Sequence, residues 1–544
     1  MKKIAKFLIV LGMMGQLSSC DYLDIVPDER AQESDTWKTE GAVRGYLYSC
    51  YGYLPANRTF GNSYWLAEEL TAVTKELFTT FKYGYYSPVS LGFTSNTWST
   101  IWNGIHQCYM FQESLKQVSN EYVTDEMKKQ YLAESNFLIA YYHFLSMRSY
   151  GPTMIIRSVI DLETPISGFP ERSSIDEVVA FINEKLDEAM SEGGLPTTWS
   201  GKDYGRATRL AALALKSRVY LYAASPLYNG NTEMYADFRS PLDGRQLIAQ
   251  EKSQAKWEIS ATQTKYAIDE VEKAKFHLYH DADAGEPSDA KPGLPNKAQR
   301  RLRYTNIDNQ TGNNPEIIWA DTRNDDYYGI QRRCPPRQTL GGKFAGISMT
   351  NCPTLQTIEA FYTKNGLPIN KDKTFDYDER YEYISAPENC DGNNYEDLVK
   401  YANFTPSSDK VMRLCTDREP RFYAWTTYHN GYFEFGKYNN EEISADPAKR
   451  AIRIHLLRDD PHGRGNRTDQ EYSISGFGNK KGVVPSAEWN VIEYPFPLFR
   501  LAELYLNYAE ALVELDRLSE AKVYLDKVRA VSYTHLTLPT ILRV

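Results

Sequence analysis

The sequence predicts a mostly α-helical protein, a tetratricopeptide-like helical-repeat scaffold that carries a long loop-rich ligand-binding insertion containing short strands. Three observations predict it. Helical periodicity fills residues 36–230 and returns at 487–530. The stretch between them, 231–486, lacks sustained helical periodicity and is rich in Asn, Asp, Gly, Pro and Tyr. The closing "LAELYLNYAEALVELDRLSEAKVYLDKVR" reads as two helices joined at Asp516-Arg517. It sets small Ala509 and Ala521 and large Leu512 and Leu525 where a helical repeat packs its pair.

Residues 1–19 read as an export signal. Lys2, Lys3 and Lys6 precede the apolar run Phe7 to Met14, which is too short to span a bilayer. The following "LSSC", Leu17 to Cys20, resembles the lipobox of bacterial lipoprotein precursors, so Cys20 is the expected lipidation site and 20–35 a lipidated tether. Several acyl chains anchor a protein stably where one binds only marginally.

Within 36–230, "ESNFLIAYYHFLSMRSYG" puts Phe137, Ala140, Tyr141, Phe144 and Leu145 at helical spacing and stops at Gly151-Pro152. "SSIDEVVAFINEKLDEAM" begins with a serine cap and acids, then lines Val178, Ile182, Leu186 and Ala189 along one face. "GRATRLAALALKSRVYLYAAS" is a strong helix former, expected to start at Thr208 and end at Ser225-Pro226. In the insertion, "EIIWA" and "RFYAWTTY" read as short strands.

Composition narrows function. A net charge of -9 with no extended basic stretch argues against a nucleic-acid partner. Apart from Cys20, the cysteines are scattered with no CxxC pair, so no zinc site is expected. Export permits disulfides; Cys334 with Cys352 and Cys390 with Cys415 are the candidate pairs, and buried thiols are the equal alternative.

The 41 Tyr and 9 Trp, many in polar loops, suit a surface that offers flat rings with polar edges. Sugars present C–H faces that stack on rings and hydroxyls that need fixed donors and acceptors. Two clusters qualify as a carbohydrate site. One is Tyr83, Tyr85, Tyr86, Asn96 and Trp98; the other is Asn324, Asp326, Tyr327, Tyr328 and Arg332. Trp102 and Trp319 read as core. No HExxH, GxSxG or P-loop string is present, so no enzyme and no cofactor is expected. "HLYHDADAGE" imitates a calcium loop but lacks its glutamate, and reads as a solvated acidic turn around His277, His280, Asp281 and Asp283, with no metal expected.

The motifs occur in a telling order. The lipobox and "CDYLDIVPDE" come first, then "FLIAYYHFLSMRSYG", "GRATRLAALALKSRVYLYAAS", "NNPEIIWA", "CPTLQTIEAFYTKNGLPI", "DREPRFYA" and "YPFPLFRLAELYLNYAEALVEL". Together they resemble the SusD/RagB family of outer-membrane nutrient-binding lipoproteins over nearly the whole chain. The resemblance implies four tetratricopeptide-like helix pairs and a lipid-anchored, surface-exposed outer-membrane location. It also implies an oligosaccharide ligand, handed to a SusC-like TonB-dependent transporter. The alternatives are a secreted helical-repeat adaptor for a protein or peptide, and a surface glycoside hydrolase. The end, 531–544, departs from this order; Val531 to Thr540 reads as translated sequencing-adapter DNA, and a C-terminal strand is the alternative.

If Cys20 is lipidated, a palmitate analogue fed to expressing cells will label the wild type and leave Cys20→Ser unlabelled. Equal labelling of both would refute it.

Overall fold

The computed structural model describes residues 37–56, 69–72, 87, 94–161, 163–284, 297–308, 314–323, 329–336, 349–385, 410–434, 451–460, 462–465, 472–484 and 493–532. Among them the long helices are α1 (Glu40–Tyr51), α2 (Thr94–Leu115), α3 (Asp125–Tyr150), α4 (Ile175–Ala189), α5 (Arg209–Ala224), α6 (Gln254–Lys273), α7 (Lys297–Ile307), α8 (Leu501–Glu514) and α9 (Leu518–Val531). Their ends follow local chemistry. Thr124 caps α3 through the Met127 amide at 3.3 Å, and Gly151, with φ +71°, ends it where a side chain would be strained. Ser174 and Glu177 form a reciprocal capping box at the start of α4. Thr208 caps α5 and Ser225 closes it. Asp516, at φ +58°, makes the turn between α8 and α9.

The helices pack in series: α2 on α3, α3 on α4, α4 on α5, α5 on α6, α6 on α8 and α8 on α9. The protein is thus the mostly helical, repeat-like scaffold that the sequence predicts. Helix α3 is buried from Ala133 to Met147 on every side, not along one stripe, because α1, α2, α4 and α5 all touch it. On α9 only Ala521 is fully buried; Val523 is exposed, and Leu525 and Val528 are half-buried. From residue 533 on, the 531–544 segment lies outside the described residues.

Two sequence expectations need correction. The 231–486 region is not free of sustained helix, since it contains the 20-residue α6, packed into the scaffold. Its buried face is Trp257, Ser260, Ala261, Thr264, Ala267, Ile268 and Val271, so small hydroxyl residues dilute the apolar period. The Thr264 hydroxyl has a use: it bonds Ser217 of α5 at 2.8 Å, and Ser217 accepts from Asn507 of α8 at 3.2 Å. The second correction is "RFYAWTTY", which is the short helix Pro420–Trp425 followed by a two-residue strand. Pro420 stands in the first turn, where its missing N–H costs nothing.

The strands are β1 (Leu70–Ala72), β2 (Ile317–Asp321), β3 (Asn351–Pro353), β4 (Tyr383–Ser385), β5 (Lys410–Met412), β6 (Thr426–Thr427), β7 (Tyr432–Glu434), β8 (Ala451–Arg453), β9 (Gly478–Asn479) and β10 (Phe496–Arg500). They pair antiparallel as β1–β3, β2–β10, β4–β5, β6–β9 and β7–β8. β2 is the predicted "EIIWA" strand, buried at every residue, and it carries Trp319 into the helical core. A second, smaller core in the insertion gathers Ile358, Phe375, Val411, Leu414, Phe422, Tyr423, Tyr428 and Phe477.

Cys334 and Cys352 are buried thiols with separate neighbours, not a bonded pair. Cys334 Sγ accepts from Asn479 at 3.5 Å, and Cys352 Sγ donates to the Thr71 carbonyl at 3.5 Å. Cys415 is also a buried thiol, pushed up to about 12 by burial. Cys390 lies outside the described residues. No described helix is long and apolar enough to cross a membrane.

Fully buried His143 of α3 has Nδ1 2.8 Å from the Ile139 carbonyl, while its Nε2 accepts from the Ile156 amide at 3.3 Å. That pattern requires the neutral ring, and burial lowers its pKa to about 4. An unfolded histidine takes its proton near 6.5. The stability this ring confers is therefore complete above pH 6.5 and lost as pH falls towards 4, by about 3 kcal/mol across the window. Urea unfolding at pH 7.5 and 4.5 should show the wild type losing that much more stability than His143→Gln.

Candidate functional site

Of the predicted carbohydrate contacts, Tyr83, Tyr85, Tyr86, Asn324, Asp326, Tyr327 and Tyr328 lie outside the described residues, as does Cys20. Asn96 falls in the first turn of α2, its side chain outside the description. Trp98 and Arg332 are described, and both are half-buried. Arg323, just before the second cluster, is structural. It is paired with Asp321 at 2.7 Å and donates to the carbonyls of Leu54 at 2.9 Å and Pro55 at 3.0 Å.

Trp98 opens a cavity of about 360 Å³. One wall is α2, which contributes Trp98, Ser99, Trp102, Asn103, Ile105 and His106; the other is the strap after α3, with Met154, Ile156, Ser158, Ile160 and Phe169. The strap lies there because its polar backbone is tied down. Tyr109 Oη donates to the Ile156 carbonyl at 2.7 Å, the Ile156 amide donates to His143, and the Thr153 and Ser146 hydroxyls bond at 2.7 Å. Trp98 meets Trp102 edge-on at 5.2 Å and Tyr150 at 4.9 Å, so the ring is held rigidly. Trp102 packs on His143 and lines this wall; its Nε1 is buried without a hydrogen-bond partner among the described residues. It is not purely core, as its sequence position suggests. Trp319 is core as expected, its Nε1 donating to the Gly205 carbonyl at 2.9 Å. Rigid indoles beside Ser99, Asn103, His106 and Ser158 can stack a sugar ring and meet its hydroxyls. Arg332, on the short helix Ile330–Arg333, does not line this cavity.

A larger cavity, about 460 Å³, has no forerunner in the sequence reading. Glu69, Thr357, Phe361, Trp425, Asn479, Lys481, Tyr494, Phe496 and Arg500 are among its lining residues, drawn from five separate segments. Arg418 holds one wall. Buried beside Phe422, its ring 4.9 Å away, Arg418 donates to the carbonyls of Leu414 at 2.6 Å, Ile358 at 2.8 Å, Phe361 at 2.6 Å and Tyr362 at 3.3 Å. Burial lowers its pKa to about 10, which still leaves it charged at neutral pH. The Thr354 amide and the Thr357 hydroxyl both donate to the Glu69 carbonyl, and Tyr494 Oη donates to the Gly482 carbonyl at 2.9 Å. Trp425 was hidden in the run read as a strand, and nothing around "GNKKG" marks Lys481 in advance.

The acidic turn is solvent-facing, and it closes on an imidazole–carboxylate cluster. His277 Nε2 lies 3.3 Å and His280 Nδ1 2.7 Å from the Asp283 carboxylate, with the two rings stacked at 4.6 Å. Their donor atoms all fall within 4.8 Å of one another.

Two family models match the chain: the SusD family over residues 315–530, and "starch-binding associating with outer membrane" over residues 21–221. Among solved structures, BT4246 is similar with a TM-score of 0.74 and 28% identity, over 93% of this chain and 84% of that one. A SusD-like protein from Bacteroides fragilis NCTC 9343 has a TM-score of 0.64 at 20% identity, over 94% and 82%. A SusD-like carbohydrate-binding protein from the same organism has 0.57 at 17% identity, over 94% and 81%; these last two speak for the fold alone. No curated protein sequence matches.

Arg418→Met takes the guanidinium donor from the Leu414, Ile358 and Phe361 carbonyls, while the Tyr362 carbonyl keeps the Glu419 amide, and the loss costs ~3 kcal/mol or more. Urea unfolding of the variant should show that loss.

Proposed function

Since this chain belongs to the SusD family, we propose that it is a glycan-binding lipoprotein that holds oligosaccharide without cleaving it. It sits at the outer membrane, anchored through Cys20 and exposed at the cell surface, and passes its ligand to a SusC-like TonB-dependent transporter. The family descriptions, starch-binding and outer-membrane-associated, support the ligand class and the location.

The observation that carries the binding reading is the Trp98–Trp102 cavity. Two rigid indoles and a polar rim give a pyranose its stacking face and its hydroxyl partners, at low cost in side-chain entropy. Tyr83, Tyr85, Tyr86 and Asn96, together with Asn324, Asp326, Tyr327, Tyr328 and Arg332, complete the binding surface in this reading. An open site leaves part of the sugar wet, so affinity is weak to moderate.

Gel electrophoresis in matrices containing soluble starch or another neutral glycan tests this. Wild type should be retarded and release no reducing ends. Trp98→Ala should cost on the order of 1 kcal/mol or more in affinity. Tyr86, Trp98 and Tyr327 replaced together by Ala should abolish retardation with the helical circular dichroism intact. Undiminished retardation of the triple variant would remove these residues from the site, and released reducing ends would overturn the non-catalytic reading.

A further inference from the structure

The larger cavity differs from the Trp98 cavity in holding a cation that makes no ion pair among the described residues. Lys481 Nζ makes no hydrogen bond or ion pair among the described residues; its contact is the face of Trp425, 4.8 Å from the ring centroid. The neighbouring guanidiniums are satisfied, Arg500 by Glu316 at 2.7 Å and Arg421 by Glu419 at 2.7 Å. Glu69 is the carboxylate residue that lines the cavity, and it faces solvent. The lysine is positioned, not dangling. Its amide donates to Asn479 Oδ1 at 3.2 Å, Asn479 Nδ2 donates back to its carbonyl at 3.0 Å, and Gly482 follows with φ +75° in a tight turn. Lys481 as a whole is exposed, and its ammonium rests against Trp425 at the cavity. Even so, burial first, and then the Arg500 and Arg421 charges, depress its ammonium to about 8, Glu69 opposing them. A cation seated on an aromatic face, with no carboxylate paired to it among the described residues, can form a charge-assisted hydrogen bond to an incoming anion.

We propose that this cavity is a subsite for a negatively charged sugar, whose carboxylate or sulfate ester pairs with Lys481 while the ring lies against Trp425 and Phe361. The volume is in the range of small-molecule sites, and Asn306, Asn479 and Thr357 supply hydroxyl partners. A neutral sugar needs no unpaired cation, whereas an acidic one cannot be buried without it. The proposal rests on the glycan-binding reading only in taking the anion to be carried by a sugar.

Isothermal titration of the full chain in detergent with trigalacturonate, sulfated galactotriose, neutral galactotriose and inorganic sulfate tests it. At least one acidic trisaccharide should bind tenfold or more tighter than the neutral one, and which of the two does so identifies the anion. Lys481→Gln should erase that preference and Lys481→Arg should keep it. Acid-selective, Lys481-dependent binding without neutral-glycan retention would uphold this subsite while overturning the Trp98 reading. The subsite is overturned by no acidic preference, by a preference that survives Lys481→Gln, or by inorganic sulfate binding as tightly as the trisaccharides.

Discussion

A carboxylate buried at the middle of α3 organises the helical scaffold. Glu134 is fully buried, and its oxygens accept from Arg206 Nη2 at 2.5 Å, Arg206 Nε at 3.2 Å and Tyr51 Oη at 2.6 Å. Burial pushes the Glu134 carboxyl up, with Arg206 and Tyr51 pulling it back; burial likewise works against the Arg206 charge, and Glu134 and Asp203 more than restore it. Each partner comes from a different segment: α1, α3 and the loop before α5. Leaving either charge unpaired costs several kcal/mol, ~3–5 by general experience, so these three segments have one mutual arrangement. Arg206 also stacks on Trp199 at 4.1 Å, and Tyr51 Oη accepts from the Ala207 amide at 2.9 Å. One residue earlier, the Gly205 carbonyl receives the Trp319 indole. The same loop therefore locates β2, and through β2 its partner β10 and the start of α8.

The insertion solves the same problem by another route. Around Arg418, where the described elements are short helices and strands, it gathers carbonyls around that buried cation, where the scaffold pairs opposite charges. Around that arginine the small core of Phe422, Tyr423 and Tyr428 closes. The larger cavity lies between this core and the β2–β10 ribbon, where segments distant in sequence meet without filling the space. The Trp98 cavity arises differently, between a helix and the strap that returns along it. It is shaped by hydrogen bonds through His143 and Tyr109, buried groups with no direct role in a ligand contact.

What was legible in the sequence follows from how local its cause is. Helix starts and stops at Thr208, Ser174, Gly151 and Asp516 were readable because a cap or a left-handed turn is decided within four residues. Helix α6 escaped notice because Ser260 and Thr264 sit on its buried face, and a hydroxyl counts as apolar only once Ser217 is seen across from it. "RFYAWTTY" has strand composition but turns helical because Pro420 starts a helical turn and Arg418 gathers the carbonyls around it.

By itself, then, the sequence determined the helical scaffold, the order of its family motifs and the aromatic character of the candidate binding residues, since each depends on short-range pattern. Trp98 was recognisable as a candidate ring from its polar surroundings, but it stands on helix α2 and not in the loop that its Gly-, Pro- and Ser-rich neighbours suggest. Only the tertiary structure decided that Trp102 joins it in a cavity wall, that Lys481 lies over Trp425 with no ion pair among the described residues, and that Glu134 meets Arg206. Each of those facts joins residues from segments separated along the chain or depends on what packs between them. Periodicity carries no record of such distances, because the partners are brought together by the burial of everything around them.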